Sequence, residues 1–547
     1  MEYMKKKHYG ILIGLIIIAA GFGFSRNLLP FVWAESKPVK ISGKVKTVSH
    51  KEKNIYTKTY QDETDRQLEK WKAEKNYTVR NPLIVMNPYG TNTGSVYFYG
   101  ISDKEVSAEC TISVQGAKDY SYSIKNNSSS GISKKQEFLI TGLVPGKKNK
   151  VILTFYDNDK HLSYEAYFYV SVSADSEIPA VSNVKTANGA QKLSAGLFAM
   201  LGHDKTDNAN IYLYDNSGTS RGKIPLNSYR SDRLLFIGGQ MAYSYEEDKI
   251  ALVSRLGKVT KTFSIDGYEL HHDFAYDKDN GKILCLVNDK KKETIEDVLI
   301  AVDVKTGKVE KLIDFEEYLK EIRKTAKQRE GGKNTYGGTE LDWLHLNSFD
   351  LLEDGSIVLS SREQSTVIKM KNIYKNPSVD YLIHGGSLYE GTGLKKYQLK
   401  KNGTFVSQAG QHTITYEKDD SLEDGQYYLY MFNNNFASSS AFPGFDWNLY
   451  PGTGAYESGT KSMYYKYLVD EKKGTYKLAD SFALPYSSIV SSVQNYHGNI
   501  TYSSGMDKTY GECDSKGTLI GKFRYDADKY AYRVLKYDFE DYWYKKD

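Results

Sequence analysis

The sequence predicts an all-β protein in which a six-bladed β-propeller follows a small N-terminal β-sandwich and an N-terminal hydrophobic segment. Short alternating apolar strands, separated by turn residues, run through most of the chain. From about residue 195 a unit of strand, acidic-Gly turn and strand recurs. Tyrosine, which favours half-buried strands, accounts for 47 of the 547 residues. These three observations favour extensive β-structure.

The size and charge of the chain limit the classes of protein that it can represent. With 547 residues, the chain is long enough for about two to four domains and a sizeable core. Its 73 Lys and Arg against 68 Asp and Glu give a net charge of +5, which is too small and too dispersed to indicate a nucleic-acid partner. The cysteines at 110, 285 and 513 lack metal-binding spacing, and their odd number leaves at least one unpaired within the chain.

Residues 1–34 have the composition of a signal or anchor segment. Three lysines at positions 5–7 precede the apolar run 11–24, which gives a basic n-region and an apolar h-region. The positive-inside rule then predicts an extracytoplasmic location for the rest of the chain. Further apolar residues at 28–33 favour an uncleaved membrane anchor. The alternative is a secreted protein that is cleaved after Val32-Trp33-Ala34.

Three further regions follow this segment. Residues 35–80 are polar and rich in lysine, which predicts a stalk with a short helix over Asp62–Lys75. Residues 81–175 contain short alternating strands such as SVYFYG and KVILTFYD, and they predict the β-sandwich domain. Ser173–Pro179 predicts a linker, and residues 180–547 predict the propeller domain.

The propeller prediction depends on the recurring unit. Each unit has two apolar strands around an acidic-Gly turn, often followed by a turn of the type D-x-x-G, as in DVKTGK and DSKGTL. Four strands with these turns are typical of a propeller blade. GHDKTDNANIYLYDNSG is one unit, and the other five are FIGGQMAYSYEEDKIALVSR, HHDFAYDKDNGKILCLVND, HLNSFDLLEDGSIVLSSRE, HTITYEKDDSLEDGQYYLYMFNN and SSIVSSVQNYHGNITYSSG.

Three consecutive units place a histidine at the start of their first strand, four residues before an aromatic residue. Because the innermost strand of each blade lines the central channel, equivalent positions on adjacent blades are expected to face one axial site. A single strand histidine is usually structural, but three in register favour a functional site. The pairs are His272 with Tyr276, His345 with Phe349, and His412 with Tyr416.

The second of these histidines begins a predicted β-hairpin, DWLHLNSFDLLEDGSIVLSSREQST. Asp-Gly between alternating apolar runs is a strong hairpin signal. A turn centred on Asp354-Gly355 puts Asn347 opposite Arg362, with His345 two residues along on the same face. The planar fork of Arg362 suits a tetrahedral oxyanion such as sulfate or phosphate.

Other kinds of site fit the sequence less well than this oxyanion site. The sequence contains no Walker loop, no GxSxG and no HExxH. The glycine-rich stretch GGKNTYGG, residues 331–338, predicts a flexible loop over the site. Zinc is the competing prediction, although the guanidinium of Arg362 would repel a cation. The candidate zinc ligands are His271, His272, Asp273, His345 and His412.

Four short motifs, in this order, resemble those of the bacterial arylsulfate sulfotransferases that do not use PAPS: HHD, DWLHLNS, SSRxxS and GQHT. LIVMNPYGTNTGSVYF and AYRVLKY also resemble the family. The resemblance implies a six-bladed propeller with an N-terminal β-sandwich, outside the cytoplasm and often a homodimer. It implies ping-pong transfer of a sulfuryl group from an aryl sulfate donor to a phenol acceptor through a sulfohistidine. No metal or other cofactor is implied.

The resemblance also implies roles for individual residues. The nucleophile is His412 of GQHT. The acid/base group is one of the two histidines of HHD. His272 is chosen because it matches the repeat position, and His271 is the alternative. If His272 is the acid/base group, His271 is expected to bind the substrate. The disulfide of some Gram-negative members has no counterpart here. The implied sulfate-binding residues are His345, Asn347 and Arg362.

Two other functions remain open at the level of the sequence. The first is an extracellular propeller that binds carbohydrate or another ligand without catalysis, with histidines that merely line a polar channel. The second is a metal-dependent hydrolase. A binding protein would form no sulfohistidine, and chelators would abolish the activity of a metal-dependent hydrolase.

Overall fold

The computed structural model describes residues 38–41, 43–127, 132–186, 191–203, 210–334 and 336–546 of the 547-residue chain. The predicted signal or anchor segment, residues 1–34, lies outside the described residues. Among the described residues, no helix is both long enough and apolar enough to span a bilayer.

The N-terminal β-domain is a sandwich built around one long strand, Ser95–Ser113. Its first part pairs with Leu83–Met86 and Ser133–Thr141, and its second part pairs with Tyr120–Ser123 and Lys148–Tyr156. The two layers meet at an apolar core, in which Phe98 stacks on Phe138 at 4.9 Å and lies 6.4 Å from Phe155, measured between ring centroids. The remaining strands are Leu162–Ser171 and the short Val39–Lys40. The predicted β-sandwich is confirmed.

The stretch predicted as a stalk contains a helix over Lys58–Glu74, against the predicted Asp62–Lys75. Its N-cap is Thr57, whose hydroxyl accepts from the Tyr60 amide. One face of the helix is buried. The Gln61 side-chain oxygen on that face accepts from the amide of Val259 in the propeller at 3.0 Å. The helix therefore packs against the propeller.

Within the described ranges, six sheets of four or five strands form the blades, which confirms the predicted six-bladed propeller. Blade 1 comprises Leu197–His203, Ile211–Tyr214, Ser220–Ile224 and Ala531–Tyr537, and blade 2 comprises Leu235–Ile237, Gln240–Glu246, Lys249–Val253 and Val259–Ser264. Blade 3 comprises Tyr268–Asp277, Lys282–Asp289, Val298–Asp303 and Val309–Asp314, and blade 4 comprises Leu346–Leu351, Ile357–Ser361, Thr366–Lys371 and Ser378–Ile383. Blade 5 comprises His412–Glu417, Gln426–Asn433, Ser462–Asp470, Thr475–Leu484 and Lys400–Lys401, and blade 6 comprises Ser492–Tyr496, Asn499–Ser504, Thr509–Cys513, Leu519–Tyr525 and Val181–Thr186.

Strands from both ends of the propeller domain close the ring. Ala531–Tyr537, near the C-terminus, is the innermost strand of blade 1 and pairs with Leu197–His203. Val181–Thr186, at the start of the domain, is the outermost strand of blade 6. The loops between blades contain short helices at Phe315–Tyr318, Lys320–Arg323 and Lys395–Tyr397, and a further short helix, Trp447–Leu449, lies in a loop within blade 5.

Candidate active site

The three predicted histidines belong to the inner edges of blades 3, 4 and 5: His272 lies within Tyr268–Asp277, His345 directly precedes Leu346–Leu351, and His412 begins His412–Glu417. All three side chains are buried. The rings of His272 and His345 are 4.9 Å apart, and burial, together with the positive charges of Arg362 and His345, lowers the pKa of His412. The propeller therefore gathers the residues that the repeat pattern singled out.

The backbone is unusual at or directly beside these histidines. His272 has φ +57°, His345 has φ +48°, and Thr413, next to His412, has φ +52°. Left-handed backbone costs an ordinary residue about 1–3 kcal/mol and is concentrated at functional sites. The ladder of each strand is also interrupted here by a β-bulge or irregularity, which redirects side chains. The backbone beside each histidine is thus bent in a way that redirects its side chain.

The predicted register of the blade 4 hairpin is wrong. Leu352 and Ser356 close a three-residue loop in which Gly355 has φ +77°, so the loop is centred on Asp354 and not on Asp354-Gly355. A further shift occurs between Leu346 and Ser348. As a result the amide of Arg362 donates to the carbonyl of His345 at 3.1 Å, and Asn347 is not its partner.

His412 is held as a neutral imidazole, and among the described residues no hydrogen bond uses its Nε2. Its Nδ1 donates to Asn434 Oδ1 at 2.7 Å and to the Gly410 carbonyl at 3.1 Å. The Asn434 amide is fixed in this orientation because its nitrogen donates to the carbonyls of Ser487 and Val490. Burial holds the pKa of His412 well below its usual value. Nδ1 therefore carries the proton, and Nε2 keeps a lone pair.

His345, unlike His412, is positively charged. Its Nδ1 donates to Asp342 Oδ2 at 2.7 Å and forms an ion pair with Glu296 Oε2 at 2.5 Å. Burial and the Arg362 charge lower its pKa, but the two carboxylates outweigh them and raise it to about 9. His345 is therefore a cation at neutral pH, with its Nε2–H available to an anion.

Glu296 links the histidines and was not found from the sequence. This carboxylate is buried, and its Oε1 accepts from His272 Nε2 at 3.0 Å and from the Tyr336 hydroxyl at 2.7 Å. Burial would raise its pKa, but His272 and His345 hold the pKa well below the usual range. Glu296 follows no repeat motif, and its φ of +59° could not be seen in the sequence.

His272 has a fixed tautomer. Its Nδ1 accepts from Arg230 Nη2 at 3.0 Å, because a guanidinium can only donate. The proton of the ring therefore sits on Nε2, which donates to Glu296. Burial lowers the pKa of His272 to about 4, and the ring stacks on Tyr532 with centroids 5.3 Å apart.

His271, the alternative to His272, lies outside this network. Neither of its ring nitrogens has a hydrogen-bond partner in the part of the chain that the structure describes, and burial lowers its pKa to about 3. It lines a neighbouring cavity of about 470 Å³, together with Lys290 and Asn288. The geometry thus favours His272 as the histidine of HHD that meets the other two, while the roles of both histidines remain predictions.

Arg362 is anchored through one corner of its guanidinium. Nη2 donates to Glu363 Oε1 at 2.6 Å and lies 3.9 Å from Asp342 Oδ2. The other Glu363 oxygen accepts from the backbone of Ser440 and Ala441. No hydrogen bond among the described residues uses the Nε or Nη1 of Arg362, which leaves that edge of the fork for an oxyanion.

Asn347 is fully buried, and its amide nitrogen donates to the carbonyl of Gln411 at 2.7 Å. This contact ties blade 4 to the residue that precedes His412. Asn347 therefore supports the nucleophile strand, and its direct contact with sulfate remains a prediction.

The third residue of HHD, Asp273, forms ion pairs that connect the blades. Its carboxylate pairs with both Arg233 and Arg533, at 3.0 Å in each case. Arg533 also donates to the Asn347 carbonyl at 2.9 Å, so the cluster connects blades 1 to 4 across the channel. Asp273 was a candidate zinc ligand, but both of its oxygens are occupied by guanidinium groups.

The charge of His345 predicts a pH dependence. Its folded pKa of about 9 lies above the ordinary 6.5, so the stabilisation by the cation is fully present below about pH 6.5 and is lost as the pH rises through about 9. We expect calorimetry with inorganic sulfate, whose charge is constant over this range, to give weaker binding above pH 9. His345→Gln should bind weakly at all these pH values. Binding by the unaltered protein that stays constant to pH 10 would contradict the cationic assignment.

The fold is a six-bladed propeller, and its site combines a neutral imidazole with two cationic groups suited to a tetrahedral oxyanion. Residues 182–543 match the family model Arylsulfotransferase (ASST), and residues 83–170 match the model Arylsulfotransferase Ig-like domain. The chain belongs to the arylsulfotransferase family. It is therefore a sulfotransferase, with an aryl sulfate as donor and a phenol as acceptor.

Other comparisons add little. No curated protein matches the chain significantly. Among solved structures, a protein from Bacteroides fragilis NCTC 9343 described as a 6-phosphogluconolactonase is 10% identical, with 80% of this chain and 99% of that chain covered and a TM-score of 0.35. Virginiamycin B lyase from Staphylococcus aureus is 9% identical, with 65% and 87% covered and a TM-score of 0.29.

Proposed function

We propose that the protein moves the sulfuryl group by a ping-pong route, through a sulfohistidine on His412. The observation that carries this proposal is the hydrogen-bond pattern of His412. Two acceptors at Nδ1 fix its proton there, and a lone pair is left on Nε2. A neutral imidazole with a fixed tautomer is a competent nucleophile, as in other covalent catalysis.

In the first half-reaction the Nε2 lone pair of His412 forms a bond to sulfur, and the bond between sulfur and the aryl oxygen breaks. The electrons of that bond leave with the aryl oxygen. Sulfuryl transfer resembles phosphoryl transfer, in which the transition state is loose and negative charge lies on the peripheral oxygens. The cations of His345 and Arg362 stabilise that charge. The Nε2–H of His272 donates to the departing oxygen.

In the second half-reaction the acceptor phenol oxygen bonds to sulfur, and the electrons of the N–S bond return to His412. The phenol proton needs an acceptor. Glu296 already accepts from a phenol hydroxyl, that of Tyr336, at 2.7 Å. We assign the proton transfer to Glu296, with His272 as the donor that holds the phenolic oxygen. This division of roles refines the acid/base assignment made to His272 alone.

The test is p-nitrophenyl sulfate turnover by the purified protein without any nucleotide, with and without a second phenol as acceptor. We expect the acceptor to accelerate p-nitrophenol release greatly, because in a ping-pong route the phenol takes the sulfuryl group from His412 and frees it for another donor. Equal rates with and without the acceptor would indicate a sulfatase. A protein that only binds ligands would release no p-nitrophenol beyond the uncatalysed rate.

A metal-dependent hydrolase is the second candidate. Ligand atoms of His271, His272 and Glu296 lie within 4.8 Å of one another, as do those of Glu296, Asp342 and His345. Glu296 accepts from His272, Asp342 accepts from His345, and Arg230 occupies the Nδ1 lone pair of His272. We expect EDTA to leave turnover unchanged. Loss of activity that zinc restores would favour the hydrolase.

We also propose that the protein acts outside the cytoplasm, either membrane-anchored or secreted, and that it forms a homodimer. The basic residues 5–7 before the apolar run 11–24 support the location, and the family resemblance supports the dimer. Fractionation of cells with N-terminal sequencing tests the first proposal. Recovery of the intact chain from the cytoplasm would contradict it. Light scattering of the purified protein tests the second.

A further inference from the structure

The glycine-rich loop, which the structure describes over residues 331–334 and 336–338, brings a phenol of the chain itself into the site. Tyr336 is 59% exposed, yet its hydroxyl donates to Glu296 Oε1 at 2.7 Å and lies 3.4 Å from His272 Nε2. The exposed part is therefore the outer side of the residue, while the reactive oxygen faces the catalytic groups. This arrangement needs an explanation, because a phenol is also the class of acceptor that the family uses.

The position of Tyr336 is set by its own loop. The Asn334 side-chain oxygen accepts from the amides of Tyr336 and Gly338, each at 3.0 Å. The Asn334 amide donates to the Gly338 carbonyl at 2.8 Å. Asn334 is itself buried, and its side-chain nitrogen donates to Glu340. The loop thus presents the phenol in a defined position.

The two groups that contact the Tyr336 oxygen are those that the second half-reaction requires. Glu296 accepts the phenolic proton, and the Nε2–H of His272 points at the same region from the other side. Tyr532 provides a contrast within the same site: its ring stacks on His272, but its hydroxyl donates to the Asn347 carbonyl at 3.2 Å. Only the first of these two tyrosines presents its oxygen to the proton acceptor.

We propose that Tyr336 is an internal acceptor, which takes the sulfuryl group from His412 on its phenolic oxygen when no external phenol is bound. The inference rests on the proposed function, because it requires the sulfohistidine. The step balances without a further reactant. The O–S bond to Tyr336 forms, the N–S bond to His412 breaks with its electrons returning to Nε2, and the phenolic proton passes to Glu296.

The sequence of the loop is suited to this exchange. Gly331, Gly332 and Gly337 have φ values of +86°, +69° and +88°, and a Cβ at any of these three positions would meet no atom within 4 Å. The backbone therefore has room to withdraw the tyrosine when an external phenol takes its place. An external acceptor and Tyr336 would then compete for the same sulfuryl group.

The experiment treats the purified full-length protein with p-nitrophenyl sulfate in the absence of acceptor and quenches it in alkali. Half of each sample is then exposed briefly to mild acid, which cleaves a sulfuryl group from imidazole nitrogen but leaves an aryl sulfate ester. Peptide mass mapping should find an acid-stable SO₃ adduct on Tyr336. The adduct should be absent from Tyr336→Phe and His412→Ala, and present in Tyr456→Phe, a matched change at another exposed tyrosine.

The burst of p-nitrophenol gives a second measurement. Without acceptor, the unaltered protein should release about two equivalents, one for His412 and one for Tyr336, and Tyr336→Phe about one. An acid-labile adduct on His412 with no acid-stable adduct on Tyr336 would overturn this inference and leave the proposed function intact. Absence of both adducts would overturn the proposed function itself. An equal burst in both proteins would also exclude Tyr336 as acceptor.

Discussion

His412→Ala should eliminate sulfuryl transfer, with a fall in kcat on the order of 10⁴–10⁶, the range seen when a covalent nucleophile is removed. The size of the effect follows from the site, because His412 is the histidine whose Nε2 lone pair is left free by its hydrogen bonds. The other cluster histidines are differently engaged: Nδ1 of His272 accepts from Arg230, and His345 is a cation. Neither can replace the lost nucleophile.

The matched control is His384→Ala. His384 is another buried histidine, directly after the outermost strand of blade 4, and its Nδ1 lies 3.1 Å from the Thr366 hydroxyl. Among the described residues, no hydrogen bond or ring contact joins it to the cluster histidines. Burial lowers its pKa to about 4, as burial lowers the pKa of His412. We expect the folded His384→Ala protein to keep its turnover of p-nitrophenyl sulfate. Substantial turnover by His412→Ala, with unfolding midpoints measured for both proteins, would remove His412 from the nucleophile position.

Arg362→Lys should lower kcat by about 10²–10³, the cost of losing one preorganised donor to a developing oxyanion. Glu363 holds only the Nη2 corner of the guanidinium, so a planar edge remains for the sulfuryl oxygens. A lysine ammonium is a point charge, and it cannot pair with Glu363 and also offer two parallel donors to the substrate. We therefore expect that a side chain which keeps the positive charge but lacks the planar guanidinium cannot replace Arg362.

Arg524→Lys provides the control for this substitution. Arg524 is on an outer strand of blade 6 with 49% of its side chain exposed, and it pairs with Asp507. We expect its kinetics to match those of the unaltered protein. Turnover by Arg362→Lys within a few-fold of the unaltered protein would show that the guanidinium does not bind the sulfuryl oxygens.

The sequence was sufficient for the architecture and for the assembly of the histidines. Alternating strands and acidic-Gly turns predict blades because each feature is local, and the ring geometry then brings equivalent positions of adjacent blades together. His272, His345 and His412 could therefore be placed at one site from the repeat pattern alone. The loop that carries Tyr336 could also be assigned to the site from the sequence. The contact that the Tyr336 hydroxyl makes could not be predicted.

Features that depend on backbone detail could not be predicted. The register of the blade 4 hairpin differs because Asp-Gly is compatible with loops of two or three residues, and because the strand shifts again near Asn347. Glu296 and Arg230 come from connections outside the inner strands and carry no repeat signal. Their importance appears only when the distances to His272 are known.

The charge states of the histidines are a second feature beyond the sequence. The pKa of His345 is raised to about 9 and that of His272 is lowered to about 4, although the two rings are only 4.9 Å apart. Asp342 and Glu296 lie on Nδ1 of His345, whereas His272 has one carboxylate and the Arg230 guanidinium. A repeat pattern treats these histidines as equivalent, and the structure separates them into a cation and a neutral donor.

The measurement that tests the account most directly is the identification of the covalent intermediate. The protein is mixed with p-nitrophenyl sulfate alone, quenched within the burst in alkali, digested and mapped by mass spectrometry. We expect an acid-labile SO₃ adduct on the imidazole of His412, still formed in His272→Ala at a reduced rate. An adduct on His345, or a burst of p-nitrophenol with no histidine adduct, would contradict the assignment of His412 as the residue that carries the sulfuryl group.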